Sequence, residues 1–222
     1  MHVALVDYGA GNLTSVRKAF AALGAEAHVC GEPGTLACGA AVVVPGVGHF
    51  EATASLAGAW RDAVRGAIGR GQAVLGICLG LQWFFEGSEE APEVPGLGVL
   101  PGRCVLLRPG VPEAGQPALK VPHVGWNDVW PVAADPLLDG IRPGAQAYFT
   151  HSYAAPVTAE TLAVTTHGVA FASVAGRGRV WGVQFHPEKS GTVGLRVLDN
   201  FLRLAATPQR RTRGAPPRVA PR

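Results

Sequence analysis

The sequence is poor in cysteine and lacks the features of secreted and membrane proteins. Only four of its 222 residues are cysteines, and they lie far apart with no Cys-X-X-Cys pair: Cys30, Cys38, Cys78 and Cys104. This spacing argues against a disulfide framework or a zinc cluster. No charged-then-apolar signal segment opens the chain, and no apolar run approaches the roughly 20 residues that cross a bilayer. We therefore expect a cytoplasmic protein with no membrane segment and no metal site.

Acidic residues are absent from the last part of the chain, which carries the excess of basic charge. The net charge is +3, but five arginines follow Thr207: Arg210, Arg211, Arg213, Arg218 and Arg222. Without these five charges, residues 1–207 carry a net charge of −2. A segment so rich in Pro and Arg cannot bury a core. We predict one domain at 1–207, a disordered tail at 208–222 and no nucleic-acid partner.

Apolar runs and helical spacing alternate along the first half of the chain. Residues 3–6, 40–44 and 73–77 are short apolar runs, and each precedes apolar residues at helical spacing. This alternation indicates a parallel sheet with helices on both faces. The second half contains strand-like runs broken by Gly and Pro, which favour antiparallel pairing, at 104–107, 124–129, 147–153, 162–166, 170–174 and 179–185. We predict an α/β fold: an open, mostly parallel twisted sheet flanked by helices, with an additional antiparallel sheet region in the C-terminal half.

One cysteine lies between a predicted strand and a predicted helix. The sequence Gly-Ile-Cys-Leu-Gly at 76–80 ends the third apolar run and begins an apolar helical stretch. A side chain on such a sharp turn is exposed at the end of a parallel sheet, and the flanking glycines remove side chains that would crowd the bend. Backbone N–H groups at the start of the helix favour a thiolate. We therefore predict that Cys78 is a nucleophile.

A histidine and a glutamate near the end of the chain can serve this nucleophile. His186 follows an apolar run and is followed by Pro187 and Glu188. Residues two apart on an extended segment point to the same side, so the carboxylate of Glu188 can orient the imidazole of His186. Pro187 cannot donate to a strand ladder and marks the end of the strand. The sequence thus predicts a triad of Cys78, His186 and Glu188.

A nucleophile in acyl transfer also needs hydrogen-bond donors that stabilise the oxyanion formed during its attack, and the sequence offers backbone N–H groups in two places. One is Leu79, directly after the nucleophile, and the other is a glycine-rich turn that contains Val47 and Gly48. In open parallel sheets the binding crevice lies beyond the carboxyl ends of the strands. Gly48, Cys78 and His186 each follow a predicted strand. These groups are therefore expected to meet at one edge of the sheet.

Together the motifs resemble a known enzyme family. Gly-Ile-Cys-Leu-Gly-Leu-Gln at 76–82, with Phe-His-Pro-Glu at 185–188, is similar to the motifs of class I (triad) glutamine amidotransferases. More narrowly, the chain resembles the glutaminase subunit of imidazole glycerol phosphate synthase over residues 2 to about 206. The motifs that carry this narrower resemblance are Asp-Tyr-Gly-Ala-Gly-Asn at 7–12, Pro-Gly-Val-Gly at 45–48, His-Val-Gly-Trp-Asn at 123–127, His-Ser-Tyr at 151–153 and His-Pro-Glu-Lys-Ser at 186–190.

The resemblance implies a chemical role for the triad and a site for glutamine. Cys78 would attack the side-chain amide of glutamine and form a glutamyl thioester, while His186 would transfer protons and Glu188 would orient His186. No cofactor is implied. The resemblance also implies glutamine-binding residues: Gln82 and Glu90 for the amino acid moiety, and the backbone around Ser152 and Tyr153 for the carboxylate.

The same resemblance implies a protein partner. In this family a (β/α)8-barrel cyclase subunit forms a heterodimer with the glutaminase and uses the ammonia to make imidazole glycerol phosphate and aminoimidazole carboxamide ribotide in histidine biosynthesis. Trp126 and Lys189 match positions at the subunit interface. A solvent-excluded passage keeps ammonia unprotonated and nucleophilic. We further predict that the turn at 46–48 is misaligned in the isolated chain and is reoriented by a loaded partner.

Three other functions are compatible with the sequence to different degrees. The same hydrolysis could feed another synthase, such as one forming anthranilate or pyridoxal phosphate, although Leu81 after Gly80 and Lys189 after Pro-Glu disfavour it. A stand-alone cysteine γ-glutamyl hydrolase would turn over without a partner. A non-catalytic interaction module is disfavoured, because the predicted triad is intact.

Overall fold

The computed structural model describes residues 1–108 and 119–207. The tail predicted at 208–222 lies outside the described residues. The strands in the described ranges are β1 (His2–Val6), β2 (Glu26–Cys30), β3 (Ala41–Gly46), β4 (Ala73–Cys78), β5 (Gly87–Ser88), β6 (Arg103–Leu106), β7 (His123–Pro131), β8 (Ala145–His151), β9 (Tyr153–Ala154), β10 (Thr161–His167), β11 (Val169–Arg177) and β12 (Val180–Val183). The α-helices in the same ranges are α1 (Leu13–Ala22), α2 (Ala59–Gly69), α3 (Leu79–Phe84) and α4 (Gly191–Ala206).

One large sheet carries most of these strands. Its order is β2-β1-β3-β4-β12-β11-β10-β7-β8, and a second, small sheet has the order β5-β6-β9. Neighbouring strands are parallel from β2 to β12 and antiparallel from β12 to β8. The predicted α/β class is therefore confirmed. The antiparallel region continues the edge of the parallel sheet.

Two apolar layers cover the two faces of the parallel strands. In β1, Val3 and Leu5 face one layer and Ala4 and Val6 face the other, as the two-residue period of a strand requires. Helices α1 and α4 pack in the first layer and α2 packs in the second. The prediction of helices on both faces is thus confirmed. Within the described part of the chain, no helix is both long and apolar enough to cross a bilayer.

The direction of β12 decides where the functional residues meet. The run at 179–185 was expected in the antiparallel region, and β12 does pair antiparallel with β11. On its other side, however, β12 is parallel to β4, with Val183 opposite Ile77. The carboxyl ends of β4 and β12 therefore lie side by side. As a result, the segment that follows β12 comes next to Cys78.

Two predicted elements are interrupted by local backbone geometry. The apolar residues at helical spacing after the run at 40–44 begin with Leu56, which ends a 3-10 helix, Phe50–Leu56, and continue in the separate helix α2. Gly58 between them has φ +56°, which is incompatible with a continuous right-handed helix. Similarly, the run at 147–153 divides at Ser152, after which β9 joins the small sheet beside β6.

Candidate active site

Cys78 occupies a strained turn between β4 and α3. Its φ of 53° and ψ of −106° make it the only non-glycine residue with positive φ among residues 1–108 and 119–207. Such a conformation costs about 1–3 kcal/mol and persists only where the surroundings impose it. A Cβ at Gly76 would lie 2.6 Å from the backbone carbon of Gly80, and a Cβ at Gly80 would overlap the carbonyl oxygen of Val44. The bend therefore requires both glycines.

His186 and Glu188 form a buried pair on the segment after β12. The imidazole Nδ1 lies 2.8 Å from Glu188 Oε1, and both side chains are 1% exposed. The backbone of His186 is held by β8, because its N–H donates to the carbonyl of Tyr148 at 2.9 Å. The other ring nitrogen, Nε2, is buried and makes no hydrogen bond of normal geometry to a described residue. It is therefore available to a substrate atom.

The surroundings of His186 favour its protonated form. Burial alone lowers the pKa of the imidazole, because a charge is costly away from water. Cys78 beside the ring and the hydrogen-bonded Glu188 outweigh burial and raise the pKa to about 10. At neutral pH the ring is thus an imidazolium, with Glu188 hydrogen-bonded to Nδ1 and Cys78 beside the ring. This arrangement can donate a proton to a leaving group.

The predicted site residues line one small cavity of about 150 Å³ at the carboxyl ends of the strands. Larger surface cavities lie elsewhere, including one of about 670 Å³ beside Asn200, but Cys78 does not line that one. Glu188 is not part of the wall and lies behind His186. The wall of the small cavity consists of Val47, Gly48, Cys78, Leu79, Gln82, Glu90, Thr150, His151, Ser152, Tyr153 and His186.

Residues 4–205 match the family described as glutamine amidotransferase class-I. The chain belongs to the class I glutamine amidotransferases. Relatives named imidazole glycerol phosphate synthase subunit HisH match most of the chain, and two are given as examples. The relative from Thermococcus kodakarensis is 44% identical over 208 residues, covering 91% of this chain and 100% of the relative. The relative from Salinibacter ruber is 44% identical over 212 residues, covering 91% and 94%.

Solved structures of low sequence identity share the fold of this amidotransferase. PurLQS from Thermotoga maritima superposes with a TM-score of 0.70 at 18% identity, covering 91% of this chain and 97% of that chain. At this identity the likeness supports the fold alone.

Gln82 and Glu90 of the amidotransferase are already partly engaged by the protein. Gln82 Nε2 donates to the carbonyl of Tyr153 at 2.8 Å, and its own oxygen, Oε1, makes no hydrogen bond to a described residue. Glu90 Oε2 accepts from the N–H of Phe50 at 2.8 Å, which ties it to the segment after the turn at 46–48. One amide oxygen and one carboxylate are thus available as acceptors for a ligand in the cavity.

Two groups close to the sulfur, one side chain and one backbone carbonyl, were not predicted from the sequence. Gln184 is fully buried, and its Nε2 lies 3.6 Å from Cys78 Sγ. The carbonyl oxygen of Thr150 lies 4.0 Å from the same sulfur. Gln184 precedes His186 by two residues, so the alternation that linked His186 to Glu188 could also have identified it.

Trp126 and Lys189, the predicted interface residues, flank the same aromatic ring. The rings of Trp126 and Tyr148 are edge to face at 6.1 Å, and Lys189 Nζ lies 5.7 Å from the centre of the Tyr148 ring. Trp126 is 56% exposed, as is its neighbour Val124 at 57%. This apolar surface on β7 adjoins the segment that carries His186.

A chain of histidines supports the wall of the cavity. His123 Nδ1 lies 3.1 Å from His151 Nε2, and His151 Nδ1 lies 3.0 Å from the carbonyl of Tyr153. Burial lowers the pKa of both rings, to about 4 for His123 and about 3 for His151. Both rings are therefore neutral at pH 7, and their hydrogen bonds are satisfied within the protein.

One group of side chains in the described ranges has the composition of a metal site. His2 Nδ1 and His28 Nε2 are 2.9 Å apart, and each lies 3.3 Å from an oxygen of Glu26. The three side chains are exposed. His2 and Glu26 are the first residues of β1 and β2, and His28 lies two residues further along β2. Cys78 is the last residue of β4, and the cavity lies at the carboxyl ends of the strands. The cluster therefore has no part in the cavity.

Proposed function

We propose that this amidotransferase is the glutamine-hydrolysing subunit of an imidazole glycerol phosphate synthase in histidine biosynthesis. The observation that carries the proposal is the convergence of Cys78 and the His186–Glu188 pair on one cavity. The relatives named HisH, which are 44% identical over 91% of the chain, support this synthase in preference to another. The products of the subunit would be glutamate and ammonia.

Cys78 would be the nucleophile and His186 the proton carrier. The thiolate attacks the side-chain carbonyl carbon of glutamine, and N–H groups of Leu79 and of the turn with Val47 and Gly48 stabilise the oxyanion. Collapse of this intermediate breaks the C–N bond, and the proton on His186 Nε2 passes to the leaving ammonia. His186 then takes a proton from water, which attacks the thioester and releases glutamate. Glu188 keeps the imidazole oriented through both steps.

The acceptors in the cavity suit the two ends of the amino acid. The ammonium group of glutamine would bind to the carboxylate of Glu90 and to Oε1 of Gln82, the atoms left available by the protein. Its carboxylate would bind to backbone groups of Ser152 and Tyr153, which line the cavity. The side-chain amide would then extend toward Cys78.

The partner would be a cyclase subunit with a (β/α)8 barrel. Exposed Val124 and Trp126 on β7 offer an apolar contact surface, and Lys189 adds a positive charge next to it. Because this surface adjoins the segment that carries His186, docking can cover the cavity and separate ammonia from bulk water. Docking would also reorient the turn at 46–48 and complete the oxyanion site.

The proposal is tested by mixing the chain with the cyclase subunit from the same genome and measuring glutamate release. We expect slow release by the chain alone and a large increase when the cyclase and its nucleotide substrate are added. Cys78→Ala should abolish release but retain association, whereas Cys30→Ala, on β2 and outside the cavity, should retain both. Release that is fast and unaffected by the cyclase would instead indicate a stand-alone γ-glutamyl hydrolase.

A further inference from the structure

Gln184 is a buried polar residue beside the proposed nucleophile, and it takes no part in the steps proposed for Cys78, His186 and Glu188. It follows β12 directly, and Val183 is the register partner of Ile77 in β4. The next residue on each strand is therefore Gln184 on one side and Cys78 on the other. Gln184 is fully buried, and its Nε2 lies 3.6 Å from Sγ. A fully buried amide must find partners for its hydrogens, and the sulfur is one of them.

A directional chain of hydrogen bonds determines which end of this amide faces the sulfur. The carbonyl oxygen of Tyr153 can only accept, so the NH2 group of Gln82, at 2.8 Å, must face it. The same NH2 group lies 3.2 Å from the side chain of Gln184, which must present its oxygen there. The NH2 group of Gln184 consequently points to Cys78. The reverse orientation would place two NH2 groups against each other and a carbonyl oxygen against the sulfur.

We propose that Gln184 is a catalytic residue whose side-chain N–H donates a hydrogen bond to the Cys78 sulfur and stabilises it as a thiolate. This inference rests on the proposed function of Cys78. Hydrogen bonds to an ionised group are stronger than those between neutral groups, and burial strengthens them further. Gln184 and His186 belong to the same extended segment, two residues apart. The segment therefore supplies the sulfur with both a fixed donor and a proton carrier.

The hydrogen bond acts wherever sulfur carries negative charge in the reaction. In acylation the C–S bond forms, the C–N bond breaks and the proton of His186 leaves with ammonia. In deacylation water adds to the thioester, its proton passes to His186, the C–S bond breaks and the electron pair returns to sulfur. A sulfur that is better stabilised as an anion leaves faster. Loss of the donor should therefore slow deacylation and cause the glutamyl thioester to accumulate.

Two substitutions at Gln184 test the proposal by different changes. Gln184→Leu keeps the approximate size and removes the donor, and Gln184→Glu keeps the shape and places a carboxylate against the sulfur. The absorbance at 240 nm, corrected with the matching Cys78→Ala protein, measures thiolate as a function of pH. We expect the midpoint to rise by about one to two pH units in Gln184→Leu and further in Gln184→Glu, and kcat to fall about tenfold to a hundredfold with thioester accumulation.

The other titratable groups around the sulfur remain in every variant. These are His186 with its partner Glu188 on the segment after β12, and Tyr8 after β1, whose buried hydroxyl makes no hydrogen bond to a described residue. A matched control is Gln72→Leu, which removes an amide that donates to the carbonyl of Gly39 far from the sulfur. Its thiolate midpoint and thioester level should equal those of the unchanged chain.

An unchanged midpoint in both Gln184 variants would overturn the proposal. If Gln184→Leu fails to fold, the isosteric Gln184→Glu alone decides the matter. The test also separates this inference from the proposed function. If the midpoint is displaced in the Gln184 variants but the unchanged chain releases no glutamate, the donor role is retained and the glutaminase activity is rejected. If the unchanged chain releases glutamate but the variants do not displace the midpoint, the glutaminase activity is retained and the donor role is rejected.

Discussion

Cys78 shows how far a short motif can be interpreted. The flanking glycines predicted a sharp turn, and the structure gives Cys78 a left-handed φ of 53° together with close backbone contacts at Gly76 and Gly80. The turn itself depends on residues close in the sequence and could be predicted, whereas the approach of Gly80 to Val44 joins α3 to β3 and depends on the fold. The two-residue alternation places Gln184 on the same side of its segment as His186, but its hydrogen bond to Cys78 also depends on the register of β12 against β4, which was not predicted.

Glu188→Gln is the most informative single-residue test of the proton carrier. The neutral amide cannot stabilise an imidazolium as the carboxylate does, so glutamate release should fall at least about a hundredfold. Burial lowers the pKa of His186, but Cys78 and Glu188 outweigh this effect and raise the pKa to about 10. Because the protonated ring is the acid, activity of the unchanged chain should be lost only as the pH rises toward that value, and the variant should lose it at lower pH. The pH profile and the NMR titration of His186 measure both effects.

The control for this substitution is Glu160→Gln, which lies in the turn before β10 and outside the cavity. It should leave the pH profile unchanged. If Glu188→Gln and the unchanged chain lost activity at the same alkaline pH, the role assigned to the carboxylate would be contradicted.

At the scale of elements, buried strands were easier to predict than edge strands. β1, β3 and β4 are continuous apolar runs, because both faces of the sheet are covered. β2 was not predicted, since it is the edge strand and three of its five residues are exposed. The parallel pairing of β12 with β4 was also not predicted. It follows from the β11–β12 hairpin, because the turn reverses the chain back to the direction of β4.

The contact between β3 and α3 gives a prediction about stability. A Cβ added at Gly80 would overlap the carbonyl of Val44, so Gly80→Ala must separate two buried backbone segments. We expect it to lower the free energy of unfolding by more than about 3 kcal/mol, as for other severe core overlaps. Gly69→Ala at the end of α2 is a matched control, because its Cβ would meet no atom of a described residue within 4 Å. Its effect should be neutral or slightly stabilising. Urea unfolding of both variants measures the difference, and equal stability would contradict the packing described.

At the scale of the whole molecule, the proposed assembly requires one exposed surface near the cavity. Trp126 is 56% exposed on β7 and contacts Tyr148, whose carbonyl holds the backbone of His186. The sequence alone could suggest this surface only through a family resemblance, because an exposed tryptophan on a strand has no local signature of a partner. The fold adds the physical reason, which is continuity between that surface and the active segment.

Trp126→Ala should weaken association with the cyclase subunit by at least about thirtyfold, the loss expected of an aromatic residue central to an interface. The unfolding free energy should change little, because the side chain is largely exposed. Trp130→Ala provides the control, since Trp130 is 51% exposed on the same strand but further from Tyr148. Titration calorimetry with the cyclase subunit compares the two, and equal loss of affinity in both variants would place the contact surface elsewhere.

The most direct test of the proposed chemistry is a search for the glutamyl thioester on Cys78. The assembled synthase is mixed with glutamine, quenched with acid during turnover and digested, and the peptide that contains Cys78 is weighed by mass spectrometry. We predict a glutamyl group on Cys78 that is absent without glutamine. Continued glutamate formation with an unmodified Cys78, or with the glutamyl group on another residue, would contradict the account.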